Sequence, residues 1–173
     1  MLKKYLPYFI AFSALALMAV ACSTKKNTLT SRSFHNLTAY YNVYFNANES
    51  YKQGLEKMDK TFVDNYSYVL PVFKYGDDAS AKSVFPQMNK TIEKCTKAIR
   101  KHSITARPKA KEGLMSAKER EYYNRPDYCL WIDDSYLLMG KANFYKREFF
   151  AALETFNFIV RTYPNWPVKY DAL

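Results

Sequence analysis

The amino-acid sequence predicts an all-α protein built from antiparallel helical hairpins. Apolar residues recur at intervals of three and four in several segments, which is the period of an amphipathic helix. The breaks between neighbouring segments are short, and short connections favour antiparallel neighbours. The 173 residues include 16 Tyr and 12 Phe, and a core of stacked helices can accommodate many such rings.

The first 21 residues have the features of a signal peptide. Lys3 and Lys4 precede an uncharged, mostly apolar run over 9–20. A run of about a dozen residues is too short to cross a bilayer as a helix, which needs roughly 20, but it is typical of an exported leader. The small side chains before Cys22 resemble a bacterial lipobox, although Ala19 stands where such signals usually carry leucine.

The lipobox resemblance implies that the chain is cut before Cys22 and that this cysteine carries the lipid anchor. A plain secretory peptide, cut by an ordinary signal peptidase, is the alternative. The polar segment 22–33 is predicted to be a flexible tether. It carries Lys25 and Lys26, whereas Bacteroidetes lipoproteins that are flipped to the cell surface usually carry acids there. That comparison implies the periplasmic side of the outer membrane.

The mature chain is basic. Removing 1–21 takes away two lysines and no acid, so the formal net charge falls from +10 to +8. Outside the cytoplasm, the expected counterparts are anionic headgroups, peptidoglycan carboxylates or an acidic protein, and not nucleic acid. Cys95 and Cys129 each lie on an apolar helical stripe. They can form one disulfide or remain two buried thiols, and the sequence leaves both readings open.

Residues 34–63 are predicted to form a first helical hairpin with its break at "NANE". The apolar stripe of its first helix is Phe34, Leu37, Tyr41, Tyr44 and Phe45, and that of its second helix is Tyr51, Leu55, Met58 and Phe62. Both stripes are expected to face the core.

An extended connection is predicted over 64–82, where Pro71 and Gly76 interrupt an apolar stretch without helical period. A basic amphipathic helix follows over 83–103, beginning near Val84 to Pro86, and a mobile linker over 104–126. The helix carries five cations away from its apolar stripe, for which a solvated face is the default interpretation and an anion site the alternative: Lys90, Lys94, Lys97, Arg100 and Lys101.

Residues 127–164 contain a pair of predicted helices, 127–145 and 148–163, that resembles a tetratricopeptide repeat. The positions that match the repeat pattern in type and spacing are Tyr136, Met139, Gly140, Ala152, Phe156 and Pro164. Gly140 and Ala152 are expected to be small because the two helices cross closely there. Phe156 is expected to fill the groove against a following repeat, which 165–173 would begin.

The chain also resembles a more particular family. The stretches "CSTKKNT", "HNLTAYYNVYFNANESYKQGLEKM" and "WIDDSYLLMGKANFYKREFFAALETFNFIVRTYP" are similar to the tetratricopeptide-repeat lipoproteins of the Bacteroidetes type IX secretion and gliding machinery, of the SprE or PorW kind. That resemblance implies an outer-membrane lipoprotein that bridges parts of the machinery through protein contacts. Its partners would be proteins of that machinery.

No catalytic constellation is visible in the sequence. Asp133 and Asp134 are adjacent and point about 100° apart on a helix, a poor geometry for paired carboxylates, and they are interpreted as a solvated turn that also favours the start of a helix. His35 and His102 lack other ligands at metal spacing. We therefore expect a non-enzymatic scaffold without cofactor or metal. The alternative is a glycan-binding lipoprotein of a sugar-uptake system that uses outward rings at Tyr66, Tyr68 and Tyr75.

Overall fold

The computed structural model describes residues 24, 26–64, 66–70, 76–109 and 113–173. These residues form helices and no strand, so the predicted all-α class is confirmed. The elements are α1 (Leu29–Thr38), a π-helical segment (Ala39–Tyr44), α2 (Phe45–Thr61), α3 (Asp78–His102), α4 (Ala117–Tyr123), α5 (Ile132–Tyr145), α6 (Phe149–Thr162) and α7 (Val168–Ala172). The predicted signal peptide, Cys22 and Tyr75 lie outside the described residues.

The predicted hairpin over 34–63 is wrong, because α1, the π-helical segment and α2 form one continuous rod over 29–61. The junction residues Thr38, Ala39, Tyr44 and Phe45 all have right-handed helical backbone angles. The "NANE" stretch contains neither glycine nor proline to break a helix, so nothing local ends the rod there. At about 1.5 Å per residue, the rod is about 50 Å long.

In its first half the rod buries a different face from the one predicted, whereas the stripe predicted for the second half does face the core: Met58 is buried, and Tyr51 and Leu55 pack against it. Ser31, His35, Ala39, Val43 and Ala47 are buried at a regular spacing of four. An α-helix has 3.6 residues per turn, so such a series would drift around it; the wider π-helical turn compensates for this drift. Small side chains on this face allow close packing. The predicted core stripe instead lies roughly opposite, and its members Phe34, Leu37, Tyr41 and Phe45 are exposed.

Helix α3 begins earlier than predicted. Asp77 caps it by accepting a hydrogen bond from the Ser80 amide at 2.8 Å, which is a common way for a helix to begin. The region 78–82, predicted to be extended, is therefore helical. Pro86 lies within the helix and not in its first turn. The helix ends at His102, after which Ser103 is extended.

The rod and α3 pack antiparallel along their lengths. Near one end His35 contacts His102, and further along Thr91 Oγ1 donates to the Ala47 carbonyl at 3.2 Å. Gly54 then lies against Met88, with a Cβ built on the glycine only 2.6 Å from the methionine Cε. The small residue permits this approach.

Two further predictions need correction in this half of the chain. The tether predicted over 22–33 already enters helix α1 at Leu29, where Thr28 caps the helix and Ser31 is buried. The linker predicted over 104–126 starts at a fully buried Ile104 and contains α4. Ser116 and Glu119 cap α4 reciprocally, as a capping box, so that part of the linker has defined local structure.

The two helices predicted over 127–164 are present as α5 and α6, although α5 begins at Ile132 and residues 127–131 form turns. Between them, Arg147 has φ 63° and its amide donates to the Phe144 carbonyl at 2.9 Å. Paired contacts between Gly140 and Phe156, and between Phe144 and Phe149, show that α5 and α6 run antiparallel.

Apart from α4, the helices pack mainly in chain order: the rod on α3, α3 on α5, α5 on α6, and α6 on α7. The rod and α5 lie side by side on α3, and their shared core includes Met58, Val84, Met88 and Ala142. A second core joins α5, α6 and α7 through Leu137, Ile159, Tyr163 and Val168. The outer side of α6 therefore ends the stack of described helices.

Candidate interaction surfaces

Helices α5 and α6 meet most closely at Gly140. A Cβ built on this glycine would lie 2.5 Å from Cε1 and 2.9 Å from Cδ1 of Phe156. Such distances are shorter than any real side-chain contact, so only glycine fits beneath the ring as it stands. The predicted close approach at Gly140 is confirmed. The ring of Phe156 lies against α5, and it also packs against the core cluster that includes Val168 of α7.

The other positions of the repeat pattern lie in different environments. Ala152 is buried on α6, at 2% exposure. Tyr136 packs against Phe158 with a centroid distance of 4.6 Å, and Met139 packs towards α3, where its sulfur accepts a hydrogen bond from Thr96 Oγ1 at 3.8 Å. Pro164 is exposed beyond the end of α6. The structure thus joins Gly140 with Phe156 and places Tyr136 against the same core as Phe156, while Ala152, Met139 and Pro164 lie in separate environments.

An exposed apolar flank runs along α6. We call it the α6 apolar surface and define it as Phe149, Phe150, Leu153 and Val160. Phe150 is 75% exposed and Leu153 is 58% exposed, whereas Val160 is half-buried. At 100° per residue, Glu154 and Arg161 lie about 80–100° around the helix from Leu153, whereas Asn157, four residues after Leu153, lies only about 40° from it, within the edge of the apolar flank. One flank of α6 is therefore apolar and unoccupied by the described helices.

A second exposed apolar surface lies on the rod. We call it the rod stripe and define it as Phe34, Leu37, Tyr41 and Phe45, which follow one another at intervals of three, four and four residues. Their exposures are 40%, 62%, 62% and 48%. Beyond Phe45, the rod carries an exposed ion pair between Glu49 and Lys52, with an N–O distance of 3.1 Å. The stripe is therefore confined to the first half of the rod.

The predicted basic surface of α3 is present as a row of cations. Lys90, Arg100 and Lys101 are exposed, while Lys94 and Lys97 are half-buried. Within the described part of the chain, none of these five side chains forms an ion pair. Their positive charge is therefore directed at solvent, where it can act on an anionic partner.

A buried histidine pair joins the first helix to the end of α3. Nδ1 of His35 lies 3.0 Å from Nδ1 of His102, so one imidazole donates and the other accepts. Burial is the main cause that lowers the pKa of His102 to about 4, and the positive charge that His35, Lys101 and Lys97 can carry contributes to the same shift. The sequence analysis missed this pair because the two residues are 67 positions apart.

Asp127 organises the turn that precedes α5. Its carboxylate accepts hydrogen bonds from Ser103 Oγ at 2.5 Å, the Ile104 amide at 3.0 Å and the Cys129 amide at 2.8 Å. The side chain is 5% exposed, and burial raises its pKa despite these donors. An aspartate directly after a proline, as Asp127 is after Pro126, is a common turn signal. This signal could have identified Asp127 as a turn residue.

The helix start expected at Asp133 and Asp134 is confirmed, but the expectation that they form a solvated turn is wrong. Both lie in the first turn of α5, and Asp133 is only 8% exposed. Burial and the neighbouring Asp134 carboxylate raise the pKa of Asp133 to about 6. Negatively charged carboxylates stabilise a helix at its N-terminus, where the backbone amides are unpaired, and Asp133 and Asp134 occupy this position in α5.

Cys95 and Cys129 are free, buried thiols, at 0% and 2% exposure. They belong to different core clusters, Cys95 with Ala47 and Leu138, and Cys129 with Ala39 and Ile132. Burial raises the pKa of each thiol to about 12. Of the two readings that the sequence left open, the structure shows the buried thiols.

A cavity of about 300 Å³ lies between α4 and the end of α6, lined in part by Glu121, Arg161 and Trp166. Arg125 lies beside it, stacked over Trp166 at 5.0 Å and over Tyr122 at 5.6 Å. The tyrosines expected to face outward, Tyr66 and Tyr68, are exposed at 82% and 76%. They lie on the loop after α2, away from this cavity.

Across the described ranges, no three His, Cys, Asp or Glu side chains are grouped closely enough to hold a metal ion. None of the helices in those ranges has both the length and the hydropathy that crossing a bilayer requires. A comparison with protein-family models and curated proteins finds no match for the chain. The functional argument therefore depends on the surfaces described above.

Proposed function

We propose that this protein is a non-enzymatic adaptor, anchored by lipid at Cys22 to the periplasmic side of the outer membrane. It would hold proteins of the type IX secretion and gliding machinery together. The α6 apolar surface is the observation that carries this proposal. An apolar flank of this kind on a helical stack is typical of a protein-binding site.

The packing order of the helices supports a repeat-type adaptor. The rod pairs antiparallel with α3, α5 pairs antiparallel with α6, and the two pairs meet through α3 and α5. In each pair a glycine of the first helix, Gly54 or Gly140, lies directly against a side chain of the second. In tetratricopeptide proteins such pairs stack so that each covers the next. A helical segment of a partner would cover α6 in the same way.

Charge supports a role for α3 in the same function. Its five cations face solvent, and electrostatic complementarity speeds association and selects partners more than it raises affinity. An acidic partner would therefore be steered to this side of the stack. No nucleic acid is proposed, since the leader directs the chain out of the cytoplasm.

Two substitutions test the adaptor proposal. Leu153→Lys places a charge on the α6 apolar surface, and Gln53→Lys adds the same charge at an exposed position of the rod. Affinity purification from native envelopes should recover a partner with the wild-type and Gln53→Lys chains and lose it with Leu153→Lys. Equal recovery from all three chains would contradict the proposed binding face.

The anchor has a separate test. Metabolic labelling with palmitate should mark the wild-type chain and not the Cys22→Ala chain. A wild-type chain that takes up no label would remove the lipid anchor, while leaving the binding role of α6 to be decided by purification.

A second candidate function is glycan binding, favoured by the exposure of Tyr66 and Tyr68. Exposed rings are the usual stacking platforms for sugars, and the alternative would place the protein in an outer-membrane sugar-uptake system. Titration with oligosaccharides, followed by tryptophan fluorescence, separates the two functions. A saturable change that Tyr66→Ala abolishes would favour the glycan-binding function over the adaptor.

A further inference from the structure

The apolar side chains of the rod stripe are not buried by the fold. Leu37 and Tyr41 are each 62% exposed, while the opposite side of the rod packs on α3 through Ala39, Ala47 and Gly54. The stripe thus contributes little to the core. An amphipathic helix whose apolar side faces outward is suited to a second apolar phase.

The charge pattern around the stripe selects the kind of surface. No aspartate or glutamate occurs before Glu49, so the leader, the tether and the first half of the rod lack acidic side chains. Lys26 is exposed just before the rod, and Arg32 lies in its first turns. The polar residues beside the stripe, such as Ser33 and Asn42, are uncharged. An anionic surface would meet no carboxylate in this part of the chain.

The distance from the proposed anchor is short. Cys22 lies six residues before Thr28, the N-cap of the rod, and six residues span at most about 22 Å when fully extended. From Phe34 to Phe45 the stripe covers about 17 Å of helix. A lipid on Cys22 would therefore keep the whole stripe within reach of the membrane surface.

We propose that the rod stripe lies in the headgroup layer of the membrane that holds Cys22, against anionic phospholipids. Phenylalanine and tyrosine are the residues that prefer this layer, since they combine an apolar body with a weakly polar edge or hydroxyl. The contact orients the stack, so that α3, α5 and α6 extend from a rod that lies flat. This inference rests on the proposed lipid anchor.

The first test measures depth with a fluorophore on the full lipidated chain, reconstituted in vesicles of phosphatidylethanolamine and phosphatidylglycerol. Tyr41→Cys supplies a thiol on the stripe, and Leu153→Cys supplies one on the α6 apolar surface as a matched control. The native thiols Cys95 and Cys129 are buried and should not react. The label at 41 should become shielded from a water-soluble quencher, and the label at 153 should stay accessible.

The outcomes separate this inference from the proposed function. A label at Cys22 would show that its thiol is free, which would contradict the proposed lipid anchor independently of the result at position 41. Equal quenching at 41 and 153 on vesicle-bound protein would overturn the membrane contact. Shielding at 41 in native envelopes but not in protein-free vesicles would also overturn it, because a protein would then cover the stripe.

The second test uses the mature chain, from residue 22 onwards, with Cys22→Ala, so that neither the apolar leader nor a lipid is present, and measures partition onto the same vesicles. Leu37→Glu should reduce partition by about tenfold or more, since it replaces an apolar contact with a repelled charge. Leu153→Glu adds the same charge elsewhere and should leave partition unchanged. Phosphatidylcholine vesicles should bind the parent chain more weakly. Equal partition of both variants, or no preference for anionic vesicles, would contradict the inference.

Discussion

The contact between Gly140 and Phe156 makes a substitution at Gly140 unusually informative. In an ordinary helix, Gly→Ala stabilises the fold by about 1 kcal/mol, because alanine has the higher helix propensity. At Gly140 the new Cβ would lie 2.5 Å from the ring, whereas ordinary contact begins at 3.4 Å. The ring must therefore retreat by about 1 Å, and such overpacking costs about 1–3 kcal/mol. Gly140→Ala should be net destabilising, by about 1 kcal/mol.

The control is the matched glycine of the rod. At Gly54 the nearest atom is the flexible end of Met88, at 2.6 Å, which can move aside more easily than a ring. Gly54→Ala should therefore be neutral or stabilising by up to about 1 kcal/mol. Urea unfolding, followed by far-ultraviolet circular dichroism, measures both free energies.

A double-mutant cycle identifies the cause. In a Phe156→Leu background the ring is gone, and Gly140→Ala should become stabilising by about 1 kcal/mol, which gives a coupling energy of about 2 kcal/mol. If Gly140→Ala is as favourable as Gly54→Ala in the wild-type background, or equally unfavourable in both backgrounds, the proposed steric contact does not exist.

Three further predictions follow from the buried polar groups. Asp127→Ala should lower the free energy of unfolding by about 3 kcal/mol, because three donors lose their acceptor; a loss below about 0.5 kcal/mol would contradict its structural role. The lowered pKa of His102 means that its contribution to stability is present above pH 6.5 and is lost as the pH falls towards 4, whereas Asp133, with its raised pKa, contributes in the opposite direction. Acidification over this range should therefore destabilise Asp133→Asn more than the wild type and His102→Asn less. Chemical denaturation at each pH measures these free energies of unfolding, and the reverse order would contradict the two pKa shifts. Cys95 and Cys129 should react with a thiol reagent only on unfolding, so a rapid reaction of the native chain would show that at least one is accessible.

The C-terminal helical pair could be predicted because its local and tertiary signals agree. Aromatic and aliphatic residues at helical spacing mark α6, and Gly140 marks the point where a partner helix approaches. The sequence thus indicated both the hairpin and its closest contact. The separation of the α6 apolar surface from the core could also be expected, because apolar residues cover more of that helix than one neighbour can bury.

The rod could not be predicted in the same way. Its buried face consists largely of Ser31, Ala39, Ala47 and Gly54, whose burial follows from close packing and not from hydrophobicity. In the first half of the rod, a rule that places aromatic rings inside therefore selects the wrong face, whereas in the second half Tyr51, Leu55 and Met58 pack inward as their spacing predicts. The wider turn at 39–44 also shifts the spacing of the buried positions away from 3.6 residues, and hydrophobic periodicity does not signal such a turn.

The histidine pair and the Asp127 cluster depend on contacts between distant parts of the chain. His35 meets His102 only because the rod continues past 47 and α3 returns alongside it. A hairpin with its break at "NANE" would fold the chain back before it runs alongside α3, so it does not predict that His35 and His102 meet. The contact between the two histidines therefore depends on the continuous rod.

The most direct test of the adaptor role is site-specific photocrosslinking in the native envelope. A photoreactive residue at position 153 lies on the α6 apolar surface, and one at position 53 lies at an exposed site of the rod. We expect position 153 to capture a protein as a discrete band that position 53 does not capture. Bands of equal strength from both positions, or none from position 153, would contradict the claim that α6 binds a protein partner.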